Sequence, residues 1–234
     1  MRTSSVDVPF AEIAKEMVEL RSIFENVMKK ARNLSAPALL YAKASPLWEE
    51  INRHGKTLRK IVVNNHNLEN ELKEKFGTAY EIEYQAEPFS EYGLEEAIFE
   101  ALNKIIHLPG GGRVTIEETR ACVAIDVDSG DDRGNGGISR LNSEAAVEIA
   151  KQIRLRNLSG KIIIDFAGSS DFRFIKPVLE VLEEELRKDS TKSSVLGLSR
   201  AGNVEVVRVR RRPSLNDVLT VDCTTCQGTG RVAR

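Results

Sequence analysis

The chain has 234 residues, of which 41% are hydrophobic, 29% charged and 6% aromatic, enough apolar material to bury a core without disulfides. Thirty-four Lys and Arg against thirty-five Asp and Glu leave a net charge of −1, so the sum decides nothing about a nucleic-acid partner and only the distribution can. No apolar run approaches the roughly 20 residues of a membrane span, and Met1-Arg2-Thr3-Ser4-Ser5-Val6-Asp7 lacks the apolar core of a signal peptide. Three cysteines make no disulfide framework and fit a reducing compartment, so a cytoplasmic location is expected.

In chain order, Phe10, Ile13, Met17, Leu20, Phe24, Val27 and Ala31 recur every three or four residues, the stripe of a long amphipathic helix started by Asp7-Val8-Pro9. A helix packed on its own domain is favoured over a coiled-coil seam. A short strand is predicted over 38–42, a helix from Ser45 carrying Trp48, and a strand over 60–64. Helices follow over 68–76 and 94–106, with an extended piece at 80–84 between them. After Gly110-Gly111-Gly112, Val114–Glu117 and Ala121–Val127 read as a hairpin, followed by a glycine-rich charged loop over 128–137. A helix is expected over 142–156 and another over 174–187. Lys161–Phe166 reads as a strand covered on both faces, and two more strands are expected at 195–199 and 204–209. Strand and helix alternation defines an α/β fold class.

Asp126 and Asp165 each follow an aliphatic strand run, where an unpartnered carboxylate is expensive to bury. If the two strands are neighbours, both carboxylates meet at one sheet edge and can hold Mg²⁺, which takes one or two carboxylates plus water and phosphate. Asp128 lies on the same side as Asp126, two residues on. The bland alternative is that each aspartate caps a turn. Four basic residues and no acid lie from Lys151 to Lys161, including Arg154 and Arg156. Seven arginines stand against three acids from Ser199 to Arg234. Arginine around an acidic metal centre suits hydrolysis of a polyanionic backbone; a merely solvated basic face is the alternative.

Cys223-Thr224-Thr225-Cys226-Gln227-Gly228-Thr229-Gly230 has the spacing of a zinc knuckle, but one Cys pair supplies only two of four ligands. The simplest completion is a second copy sharing one zinc across a two-fold axis; a redox dithiol and an unoccupied turn remain alternatives. Cys122 reads as a core residue.

Together, Leu108-Pro109-Gly110-Gly111-Gly112, Glu118-Thr119-Arg120-Ala121, Ala124–Gly130, Asn142-Ser143-Glu144-Ala145-Ala146, Gln152–Leu158, Ile163-Ile164-Asp165-Phe166, Leu198–Gly202 and the Cys223–Gly230 segment resemble, in this order, the catalytic part of the ribonuclease E/G family. The resemblance implies a deoxyribonuclease I-like mixed-sheet nuclease domain over 108–213. A helical and partial ribonuclease H-like α/β region over 1–107 would precede it, and a zinc-link tail over 214–234 would follow. It implies that Asp126 and Asp165 bind catalytic Mg²⁺ with Asp128 assisting. Cys223 and Cys226 would bind a structural Zn²⁺ shared within a homodimer. The implied activity is endonucleolytic cleavage of single-stranded RNA to 5′-phosphate and 3′-hydroxyl ends. Lys151, Arg154, Arg156 and Arg200 are the expected phosphate contacts, joined by Lys192, which falls where the family places an arginine near its active site. The chain departs from the family at Asp128, where asparagine is usual. The family's oligonucleotide-binding barrel and 5′-monophosphate sensor have no counterpart in these motifs. A non-catalytic RNA-binding module and a metal-dependent phosphoesterase on another substrate are the competing readings.

Overall fold

The computed structural model of the chain describes residues 9–41, 46–55, 57–130, 137–168 and 172–232. Within them lie the helices α1 (Phe10–Asn33), α2 (Pro46–His54), α3 (His66–Phe76), α4 (Pro88–Glu91), α5 (Leu94–Glu100), α6 (Gly137–Leu155), α7 (Phe172–Arg187) and α8 (Leu215–Leu219). The strands are β1 (Lys60–Val63), β2 (Glu81–Tyr84), β3 (Ile105–His107), β4 (Arg113–Glu118), β5 (Val123–Asp128), β6 (Gly160–Asp165), β7 (Ser193–Leu198) and β8 (Val204–Arg208). Among the described residues no helix is long and apolar enough to cross a membrane. Asp7, Val8, Ala42, Ser45 and most of the expected loop over 128–137 lie outside the described residues.

Two compact units divide after Pro88. In the first, β1 and β2 pair in parallel through the crossover helix α3. Asn65 caps that helix, its Oδ1 accepting from the N–H groups of Asn67 and Leu68 at 2.9 and 3.1 Å. Ile51, Ile61, Val63 and Leu72 form a small core, flanked by Trp48, Phe76 and Tyr80. The apolar stripe of α1 does not join it: Met17, Leu20 and Phe24 are 57–65% exposed, so the expected packing of this helix on its own domain is not seen. Residues 38–41 form no strand, because no second strand lies beside them to satisfy their ladder groups.

The second unit holds a six-stranded mixed sheet in the order β3-β4-β5-β6-β8-β7. Only β5 and β6 run parallel, joined through α6; the other neighbours are antiparallel. The helix expected over 94–106 stops at Glu100, and 105–107 instead pair with β4, drawing β3 into this sheet. Helices α6 and α7 cover one face. Val114, Ile116, Ile125, Ile162, Ile164, Val204 and Val206 meet Ala145, Ile149, Ile153, Ile175, Val178 and Leu182 in one continuous core. The Ile162-Ile163-Ile164 run is therefore covered on one face, not two: Ile162 and Ile164 are fully buried, while Ile163 is half-buried on the other side. That open face carries the candidate chemistry.

Candidate functional site

Strand periodicity positions the aspartates. Val123, Ile125 and Val127 point into the core, which turns Ala124 and Asp126 to the open face. In β6 the same alternation turns Asp165 outward. Asp126 and Asp165 are register partners in the parallel ladder, so the two residues stand side by side on neighbouring strands, whose backbones lie about 4.8 Å apart. Partial burial, then the charges of Asp165 and Asp128, push the Asp126 carboxyl above its ordinary range, with Arg113 opposing them. Asp128 is held apart from the pair. It accepts from the Gly130 N–H at 2.8 Å and from Arg113, its register partner on β4. These two bonds hold the Asp128 carboxyl below its usual value. Among the described residues no group of three or more His, Cys, Asp or Glu is placed to hold a metal ion. The chain thus offers a two-carboxylate seat, with the third acid committed to Arg113.

Two further contacts fix this edge. Asn142, 4% exposed at the head of the apolar stripe of α6, donates from Nδ2 to the Ala167 carbonyl at 2.8 Å. Its Oδ1 accepts from the Ala167 N–H at 3.2 Å. The turn leaving Asp165 is therefore locked from both sides two residues downstream. The backbone of Gly110 is clamped in a similar manner, its N–H donating to Glu144 Oε1 at 2.9 Å and its carbonyl accepting from Arg140 Nη2 at 3.0 Å. A Cβ at Gly112, whose φ is +76°, would lie 2.8 Å from the Asp128 carbonyl oxygen, so this glycine permits the approach of the 110–112 loop to the site. Sequence reasoning placed Asn142 in a motif without a role; a polar residue at the start of an apolar helix stripe was the available signal.

The basic candidates are split between the two ends of the sheet. Arg200 is exposed in the tight β7–β8 turn, closed by the Ser199 N–H to Asn203 carbonyl bond at 2.8 Å. Because Val204 pairs with Ile164, this turn lies at the aspartate end. Lys151, Arg154, Arg156 and Lys192 sit towards the other end, where β6 begins at Gly160, roughly 17 Å away at 3.3 Å per residue along that strand. Lys151 pairs with Glu148 at 3.3 Å. Arg154 donates to the Glu185 carbonyl at 2.8 Å and ties α6 to α7. Arg156 is 5% exposed, with Nε on Gln152 Oε1 at 2.7 Å; burial pushes its guanidinium below the usual value. Lys192 is exposed, and its carbonyl accepts from the Val209 N–H at 3.1 Å. The structure brings Asp126, Asp165, Asp128 and Arg200 to one edge and does not bring these four there.

The cysteine pair forms a tight turn. The Gln227 N–H donates to the Cys223 carbonyl at 2.7 Å and the Thr229 N–H to the Cys226 carbonyl at 2.9 Å, with Gln227 and Gly228 at φ +49° and +80°. The N–H groups of Cys226 and Thr225 lower the Cys223 thiol from its usual value, which favours the thiolate. Cys223 is exposed and Cys226 half-buried. Cys122 is also only half-buried, in the turn before β5, where its carbonyl accepts from Thr119 Oγ1 at 2.8 Å, so it is not the core residue expected.

The sequence profile of the Ribonuclease E/G family matches residues 1–211. Ribonuclease G of Haemophilus influenzae is 32% identical over 246 aligned residues, covering 99% of this chain and 50% of that protein. Ribonuclease G of Escherichia coli K12 is 32% identical over 247, with the same coverage. Ribonuclease E of Haemophilus influenzae is 29% identical over 246, covering 99% of this chain and 26% of that protein. The chain spans about half the length of its ribonuclease G relatives or less of its ribonuclease E relatives, and it belongs to the ribonuclease E/G family.

Proposed function

We propose that this chain is a Mg²⁺-dependent endoribonuclease that cleaves single-stranded RNA to 5′-phosphate and 3′-hydroxyl ends, built on a deoxyribonuclease I-like sheet with a ribonuclease H-like unit before it. The observation that carries the proposal is the register pairing of Asp126 with Asp165 on an open sheet face. Two adjacent carboxylates, one raised by partial burial and then by its like-charged neighbours, fit a hard divalent cation that completes its shell with water and substrate phosphate. When bound, Mg²⁺ supplies charge neutralisation at the scissile phosphate and acidifies a water. The chain's own residues do the positioning. Asp126 and Asp165 would hold the ion, Asp128, paired with Arg113, would border the seat, and Arg200 would contact a phosphate from the β7–β8 turn. A water then attacks phosphorus in line, the bond to the 3′ oxygen breaks, and that oxygen takes up a proton. Cys223 and Cys226 fit one half of a tetrahedral zinc site, which a second copy completes in a homodimer.

Purified protein is incubated with 5′-labelled single-stranded RNA, with Mg²⁺ or with a chelator, beside Asp165→Asn. Internal cleavage that needs the metal and falls at least about 100-fold in the variant is expected, since even indirect supporters of a metal ligand cost 10–100-fold. RNA that is bound but left intact would replace the nuclease by a binding module. Elemental analysis should find about one zinc per two chains, and Cys223→Ser should elute as a monomer; a persistent zinc-free dimer would remove the proposed interface.

A further inference from the structure

At the end of the sheet opposite the aspartates, the β4–β5 turn, the start of β6 and the segment after β8 enclose a cavity of about 80 Å³. Four cations line it: Arg120, Lys161, Arg210 and Arg212. Lys60, Lys73, Lys104, Arg113, Lys151, Arg187 and Lys188 each lie within ion-pair reach of a carboxylate. The four cavity cations have no side-chain hydrogen bond or ion pair among the described residues. Two acids also line the cavity, Glu118 and Asp217. Asp217 is already engaged, as its Oδ2 accepts from the Ser214 N–H at 3.3 Å in the capping box of α8. Gly160, at φ +86°, lies beside Arg210 in the lining.

We infer that this cavity binds a phosphate of the single-stranded RNA backbone, making it a second anchor remote from the aspartate pair. The inference rests on the proposed RNA substrate and extends it. Four exposed cations without ion-pair partners, against two acids, leave the cavity lining net positive and suited to an anion, because guanidinium forks match tetrahedral oxyanions. The cavity has room for one oxyanion group. The sheet supplies continuity to the aspartates. Lys161, Ile163 and Asp165 alternate onto the same open face of β6, so a strand gripped at Lys161 runs along that face to Asp165. Of the carboxylates flanking this track, Glu117 is neutralised by Lys104 at 3.1 Å, leaving Glu205, the register partner of Ile163. A phosphate held roughly 17 Å from the metal seat sets where along the strand the scissile bond falls.

The test measures binding of a fluorescent single-stranded RNA in the Asp126→Asn background over a range of salt concentrations, with Arg210→Ala/Arg212→Ala, Arg120→Ala/Lys161→Ala and a charge-matched control, Lys176→Ala/Lys188→Ala. Each cavity pair should weaken binding at least tenfold and reduce the slope of log K against log salt by about 1.4, the loss of two phosphate contacts to a single strand. The control should leave the slope unchanged. Equal slopes in all variants, or equal losses in cavity and control pairs, would overturn the anchor while leaving the nuclease proposal intact. Protection of the Arg210 region by inorganic tripolyphosphate without any effect of the cavity pairs on RNA binding would make this a free-phosphate site and also overturn it. Cleavage persisting in the Asp126→Asn background would instead sink the aspartate assignment and leave the anchor standing.

Discussion

Where β6 begins, the buried guanidinium of Arg208 is fully matched, with Nε on Asp189 Oδ2 at 2.8 Å and Nη1 on Asn157 Oδ1 and the Leu158 carbonyl at 2.9 and 2.8 Å. Where β6 ends, Asp126 and Asp165 stand together with no ion-pair partner among the described residues, and Arg113 is spent on Asp128. Both ends are charged, but among the described residues the first is neutralised and the second is not. Asn157, at φ +50°, extends that first network to the carbonyls of Arg212 and Pro213. Stability alone explains the Arg208 network. It does not explain adjacent like charges, which cost the fold something and are retained where a ligand of opposite sign offsets them.

The contrast can be broken at either end. Asp189→Ala leaves a buried guanidinium short of its counter-charge and should cost about 3–5 kcal/mol in urea unfolding. The metal dependence of cleavage per folded molecule should be unchanged; a loss below about 1 kcal/mol would mean the network is not structural. Asn142→Ala strips both hydrogen bonds from the Ala167 backbone and should cost about 1–3 kcal/mol, with kcat falling at unchanged KM for RNA as Asp165 loosens. An intact kcat would separate Asn142 from the site. The smallest effect sharpens the aspartate end. Because folding raises the Asp126 pKa, this group's contribution to stability is full below the unfolded value near 3.8 and is lost as pH rises through the higher folded value. In metal-free protein at neutral pH, Asp126→Asn should therefore raise the melting temperature, on the order of 1 °C given solvent screening on an exposed face. The gain should shrink on acidification. A destabilised Asp126→Asn would mean that the pair is held by an unseen internal partner.

The parts of this molecule that follow from local pattern were legible in the sequence. Alternation in Val123–Asp128 and Ile162–Asp165 placed both aspartates at strand ends, and the stripe of Ala145, Ile149 and Ile153 placed α6. What depended on distant partners was not. Ile105–His107 continued a helical spacing, yet pairing with Arg113–Thr115 made it a strand. Arg154 looked like a phosphate ligand because its acceptor, the Glu185 carbonyl, lies 31 residues away and carries no side-chain signature. Arg156, also expected at a phosphate, is buried beside Gln152. The Ile162-Ile163-Ile164 run gave composition without saying how many faces were covered, and that depended on which side α6 and α7 chose.

The pairing of Asp126 with Asp165 residue for residue has a consequence for which length changes this sheet can accept. Side chains along a strand alternate between faces, so deleting one residue from Val123–Ile125 while keeping the ladder would swing a carboxylate beneath α6 and bring an aliphatic chain to the open face. Insertions in connections away from the ladder leave the spacing of the two acids untouched. The alignment of the two acids is thus written in the parity of two strands.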